Sequence, residues 1–103
     1  MSNYQIIKNA IQNRQCVTCR YNGHVRKMSP HVIGTKNGIQ QALFYQYGGT
    51  SSSGLSEDPT KNWRCIPINK ISALSTNNDR FQTAHNHSRR QTCVDNIDEE
   101  INY

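Results

Sequence analysis

The stretch CVTCRYNGHVRKM, residues 16–28, decides how the chain is read. Up to Tyr21 it alternates: Val17, Cys19 and Tyr21 point one way, Cys16, Thr18 and Arg20 the other, which is the period of a strand. Asn22-Gly23 follows, two residues that tolerate the positive φ angles of a two-residue hairpin turn, and His24 to Met28 returns. Working outward, Ser29-Pro30 breaks or bends the returning strand, because proline cannot donate to a central ladder. His31 to Gly34 resumes in extended form. Thr35 to Gly38 is a second hairpin turn, and Ile39 to Tyr47 is a long strand. Gly48 to Asn62 is a polar loop near the upper end of ordinary loop length. Trp63 to Ile68 reads as a strand with Arg64, Ile66 and Ile68 on one face. Asn69 to Ser72 reads as a short helical turn, and Ala73 to Ser75 as a last strand.

Upstream, SNYQIIKNAIQNRQ reads as a helix. Ser2 and Gln5 fit a capping box, and Tyr4, Ile7, Ala10 and Ile11 fall on one face, so the helix should lie across one end of the sheet. Downstream of Thr76 the chain is polar and poorly periodic. Phe81 is a candidate anchor, residues 83–93 are expected to be loosely ordered, and Val94, Ile97 and Ile101 are spaced for a short helix. One helix and about five short antiparallel strands predict a mainly β protein, a small barrel or strongly bent sheet over residues 1–75, with a polar tail over 76–103. Closure into a barrel would remove the edges that an open meander exposes.

A chain of 103 residues predicts one domain, and 34% hydrophobic content predicts a small core. No stretch approaches the ~18 apolar residues of a membrane span. The opening MSNYQIIKN lacks the basic start and apolar run of a signal peptide. These features predict a soluble, cytoplasmic protein, a compartment in which four cysteines are thiols or metal ligands rather than disulfides. The net charge of +5 is segregated. Asp95, Asp98, Glu99 and Glu100 lie in the last nine residues, leaving a body of 12 Lys and Arg against three acids, or +9. Such a body attracts phosphate-bearing partners, and the acidic end could fold over the basic face in competition with them.

Cys16-Val-Thr-Cys19 has the spacing of a zinc knuckle, with Cys65, Cys93, His85 and His87 as further ligands. Strand alternation sets residues 16 and 19 on opposite faces, and no second close pair exists, so structural thiols are the preferred reading over zinc or a redox pair. GGTSSSG, with Ser51 and Ser52 at its centre, could wrap an anion in backbone amides and hydroxyls, although it lacks the ending of a P-loop. HNHSRR, His85 to Arg90, reads as a basic arm. No nucleophile, base and acid can be assembled, so no catalytic residue, cofactor or metal is assigned. The remaining signal is aromatic and basic. Tyr21, Tyr45, Tyr47 and Trp63 interleave with Arg20, Arg26, Lys27 and Arg64, flat rings for stacking beside cations for phosphate. Core packing is the competing role of these rings.

QCVTCRYNGHVRKMSPHVIGTKNGIQQALFYQYGG followed by NWRCIPINKISAL resembles the WYL-type domain. Tyr21, Pro30, Gly34, Gly38, Arg64, Ile66, Ile68 and Ile71 fill the places that carry the resemblance. The family's name tripeptide falls at Ala42-Leu43-Phe44, where only leucine agrees. The resemblance spans roughly residues 5–75. It implies an Sm-like five-stranded antiparallel β-barrel and ligand sensing rather than catalysis, in bacterial regulation or defence, with nucleotides or single-stranded nucleic acid as ligand. Carried over by position, the ligand-facing group is Tyr21, His24, Arg26, His31 and Arg64. Tyr45 is a second stacking candidate, and Ser51 and Ser52 belong to a closing loop. A sensor without its own output domain implies a protein partner or a homo-oligomer. The alternatives are an assembly module without a small ligand, a sponge for a signalling nucleotide, and a zinc protein.

Overall fold

The computed structural model describes residues 2–50, 54–55, 61–84 and 91–101. Helix α1 spans Asn3–Asn13, followed by β1 (Cys16–Tyr21), β2 (His24–Lys36), β3 (Ile39–Gly49), β4 (Trp63–Pro67), a 3-10 turn (Ile68–Lys70), β5 (Ser72–Asn77) and β6 (Asn96–Glu100). Both hairpins turn where the sequence places them. Asn22 and Gly23 take φ of 56° and 79°, and Asn37 and Gly38 take 53° and 78°, the paired positive angles that match the twist of the flanking strands. At the start of α1 the Ser2 hydroxyl accepts from the Gln5 amide at 3.1 Å. The expected capping box forms only by half, because the Gln5 side chain reaches forward to Asn9 instead.

The six strands form one antiparallel sheet in the order β4-β3-β2-β1-β5, with β6 also paired to β2. The long β2 organises it. One edge runs along β3, and the other is shared, β1 taking residues 24–28 and β6 taking residues 32–35. Three bulges bend the ladder around β2. Tyr47 is an extra residue on β3, His31 an extra residue on β2 just after Pro30, and Asp98 an extra residue on β6. A bulge bends its strand and increases twist. The one at His31 also switches the alternation, so Met28 and Ile33 both enter the same core.

That core lies between the sheet and the helix. Ile7, Ala10 and Ile11 pack on Val17, Cys19, Met28, Ile33, Ala42, Phe44 and Ile66, and on Ile68 and Ile71 around the 3-10 turn. Asn3 donates to the Ile71 carbonyl at 3.0 Å and pins the start of α1 there. The sheet is therefore not closed into a barrel. β4 and β5 end it without pairing, because the helix and the 3-10 turn cover the apolar face that closure would otherwise have to bury.

The segment expected as a polar tail supplies two corrections. Residues 96–100 form β6 rather than a helix. Gly34 makes that possible, since a Cβ there would overlap the Asn96 carbonyl oxygen and the Val94 side chain. Cys65 and Cys93 are joined in a disulfide, with Cα atoms 5.7 Å apart, where free thiols were expected. A small second core of Val32, Leu43, Cys93 and Val94 lies beside it on the sheet face away from α1. Residues 80–83 also lie against that face: the Gln82 amide donates to the Ser29 hydroxyl at 3.0 Å, and Cys16 Sγ lies 3.4 Å from the Arg80 carbonyl. No helix among the described residues is long and apolar enough to cross a membrane.

Candidate functional site

The candidate site is built on the helix-side face of the sheet, at the end where β1 and β2 meet in their turn. Tyr21 pairs with His24, and Cys19 with Arg26. Paired residues project to one side, so Arg26 follows Cys19 and Met28 onto the core face. On β3 the same face carries Ala42, Phe44 and then Gln46. On β4 it carries Ile66 and then Arg64 opposite Phe44. The apolar core thus runs out at this end into Tyr21, Arg26, Gln46 and Arg64.

Arg26 is the unusual member, a guanidinium only 4% exposed. Its Nε donates to the Tyr21 carbonyl at 3.3 Å, its Nη1 to Gln46 Oε1 at 3.2 Å, and it lies 5.0 Å from the centre of the Tyr21 ring. Its Nη2 makes no hydrogen bond among the described residues. Gln46, fully buried, turns its own Nε2 to the carbonyls of Gly48 and Thr50 at 3.0 and 2.9 Å. Gly49 allows this turn, with φ of 79° and no room for a Cβ against the Val25 carbonyl. Thr50 in turn donates its amide to Val25 and meets His24 Nδ1 at 3.0 Å.

Arg64 holds the two ends of the long loop. Its Nη1 donates to the carbonyls of Lys61 and Trp63, and its Nη2 to that of Gly54 at 3.3 Å. Burial lowers its pKa, and the charge of Arg26 lowers it further. The single ion pair among the described residues is Lys8–Asp98, on α1 and β6, so neither arginine has a carboxylate partner there. Cys19 does not supply the missing anion. Burial pushes its thiol up to about 11, against a smaller opposing pull from Arg26, so it stays protonated near neutral pH.

Four of the expected site residues, Tyr21, His24, Arg26 and Arg64, thus share one end of one face. Two do not. His31 is the bulged residue of β2, 2% exposed, on the opposite face. Its Nδ1 donates to the Ser29 carbonyl at 2.8 Å, its Nε2 meets the Thr83 hydroxyl at 3.0 Å, and its ring packs on Trp63 and Phe81 at 4.7 and 5.0 Å. Tyr45 is buried beside it, edge-on to Trp63 at 5.2 Å. These rings are packing groups of the second face, with Phe81 the anchor that the sequence singled out. Ser51 and Ser52, like His85 to Arg90, lie outside the described residues.

Cys16 and Cys19 are buried thiols on opposite faces of β1, as alternation predicts. The acidic end does fold back, but onto α1: Asp98 accepts from Tyr4 at 2.6 Å and from Lys8 at 3.2 Å, and Glu99 from Gln12 at 3.3 Å. It lies along residues 32–35 of β2, at the far end of that strand from Arg26. A shallow hollow of about 450 Å³ between Thr35, Gly38, Ile39, Gln40 and Asn69 carries no ionisable side chain. Gln46 escaped the sequence reading. The signal available was a polar residue in register with Ala42 and Phe44, at a position where the alternation calls for a core side chain.

Fold and site together describe a helix-capped, bent antiparallel sheet with one buried and one half-buried arginine at one end of a face. Compared with known proteins, the chain matches no family model, no curated protein and no solved structure at a significant level.

Proposed function

We propose that the protein is a non-catalytic binding module for the phosphate of a nucleotide or oligonucleotide, held at the Arg26–Arg64 end of the sheet. The observation that carries this reading is the buried guanidinium of Arg26, on the same sheet face as Arg64, with an Nη2 unfilled and no carboxylate partner among the described residues. Buried polar groups are almost always partnered, and a buried unpaired charge is costly, so a charge of this kind calls for an anion. Arg26 and the remaining donors of Arg64 hold the phosphate in charge-assisted hydrogen bonds. His24 adds a donor and the Tyr21 ring a flat apolar surface. Thr50 and Gly54 are tied to the same network through their carbonyls and flank the site.

The resemblance to WYL-type domains supports the same ligand class and a place in bacterial regulation or defence, as a sensor or as a sponge. A cytoplasmic setting suits nucleotide ligands. The Cys65–Cys93 disulfide pulls toward an oxidising compartment, and the redox state of the protein in its native cell separates the two. Assembly into a homo-oligomer is a second reading, favoured by β5, an end strand whose outer edge is unpaired among the described residues and whose residues are mostly exposed.

A thermal-melt panel at low salt with mononucleotides, cyclic nucleotides and short single-stranded oligonucleotides tests the proposal. A ligand at about 100 times its Kd stabilises the folded form by about 2.7 kcal/mol, several degrees for a domain of this size. The shift should vanish in Arg26→Met, which still folds, since the buried charge it removes offsets the Gln46 acceptor it leaves unpaired. No shift with any phosphate ligand overturns the anion reading and leaves assembly as the function.

A further inference from the structure

The arrangement at the Arg26 end also bears on which kind of phosphate fits, an inference that rests on the anion reading above. Two guanidinium groups face one end of the sheet, one of them almost fully buried. Gln46 between them is neutral, Cys19 below them is a buried thiol, and the backbone groups that meet them are the carbonyls of Tyr21, Lys61, Trp63 and Gly54. No carboxylate of the described residues pairs with either arginine. Counted over the described residues alone, the uncompensated charge of the site is two. In water-excluded surroundings an ion is tolerated only when its charge is matched locally, and a partly matched site keeps most of the penalty of the leftover charge.

A phosphodiester inside a chain carries one negative charge. A phosphomonoester carries about two at neutral pH, because its second pKa is near 6, and it offers three acceptor oxygens. We propose that this site selects a terminal phosphomonoester, the end phosphate of a nucleotide or of a single strand, over an internal or cyclic phosphodiester. Arg26 takes one oxygen through its open Nη2. Arg64, whose Nη groups are partly committed to loop carbonyls, takes another through its Nε and its remaining Nη2 hydrogen. The two charges of the ester then cancel the two of the site.

Isothermal titration at low salt tests this with four ligands. One short single strand is used with a 5′-phosphate and with a 5′-hydroxyl, and one mononucleotide is used in its 5′-phosphate and its 3′,5′-cyclic form. The phosphomonoester of each pair should bind about tenfold more tightly at pH 7.5, the scale of one charge-assisted hydrogen bond. That preference should shrink toward pH 5.5, where the ester gains its second proton. Which pair shows it distinguishes a mononucleotide from a strand end as the source of the phosphate. Arg64→Gln, and independently Arg26→Met, should each reduce the preference to within about threefold, since either leaves a site of one charge. Equal binding of both members of each pair, still lost in Arg26→Met, overturns the selection for monoesters and leaves the phosphate site standing. Binding of none of the four overturns both.

Discussion

Asp98 shows how one bulge sets a contact. As the extra residue of β6 it is turned toward α1, where the Tyr4 hydroxyl and Lys8 ammonium both reach its carboxylate. The hydrogen bond from Tyr4, then that from Lys8, holds the Asp98 carboxyl below its ordinary range. Tyr4 is pushed the other way, to about 12, by burial and by Asp98, so its hydroxyl remains a donor at every physiological pH. A carboxyl with a lowered folded-state pKa stabilises above its unfolded value, and the contribution disappears as pH falls through the folded value. In Asp98→Asn the melting temperature should therefore fall less steeply than in the parent as pH drops from about 5 to 3, with the two curves closest at the acid end. Parallel curves across that range would show that the pair does not contribute to folding. Arg26 is the opposite case, a charge with hydrogen bonds but no counter-ion among the described residues, and Arg26→Met should cost anion binding far more than it costs folding.

Strand β6 depends on two devices outside itself. Gly34 lets its backbone approach β2, and the Cys65–Cys93 disulfide ties the segment just before it to β4. The bridge closes a loop with a sequence separation of 28 residues, for which the chain-entropy relation gives about 3–4 kcal/mol. Cys93→Ser should lower the melting temperature by many degrees in a chain of this length, and reduction of the parent by a non-denaturing thiol should reproduce the loss. Cys65 is on an exposed position of an edge strand while Cys93 is buried, so attack by an external thiol is open at Cys65. A melt indifferent to reduction would mean that the small core of Val32, Leu43 and Val94 holds β6 without the bridge.

In the whole molecule, charge is divided by the long β2. The acidic strand serves the helix at one end, and Arg26 and Arg64, without an ion pair among the described residues, stand at the other. A diffuse positive field and a built two-charge site differ in salt dependence. Proteins that coat nucleic acid through many contacts lose affinity steeply, whereas a single anchored phosphate releases on the order of one to two counter-ions. The logarithm of affinity for a 5′-phosphorylated strand should accordingly fall with the logarithm of salt at a slope of about −1 to −2. A slope several times steeper would place binding on the general surface charge rather than at Arg26 and Arg64.

Much of this protein was readable from local pattern. Ser2 marked the helix start, Asn22-Gly23 and Asn37-Gly38 marked both hairpins, and alternation set Val17, Cys19 and Tyr21 against the core. Tyr21, His24, Arg26 and Arg64 were already candidates. Each of these depends on a few neighbouring residues, where turn chemistry and side-chain period leave little choice. Other features depend on contacts between distant parts of the chain. The bulge at His31 reversed the facing of half of β2 and carried His31 into an aromatic cluster. Cys65 and Cys93 met because β6 returned to the shared edge of β2. The sheet stayed open because α1 and the 3-10 turn covered its apolar face, and Gln46 acquired its role only when it came to lie beside Arg26. The sequence by itself determined the helix, the first two hairpins and the charge the chain carries, but not β6, whose residues read locally as a helix. Which elements would pair, which face each bulge would turn inward, and which charges would be left without a partner were decided by register across separations too long for any local pattern to encode.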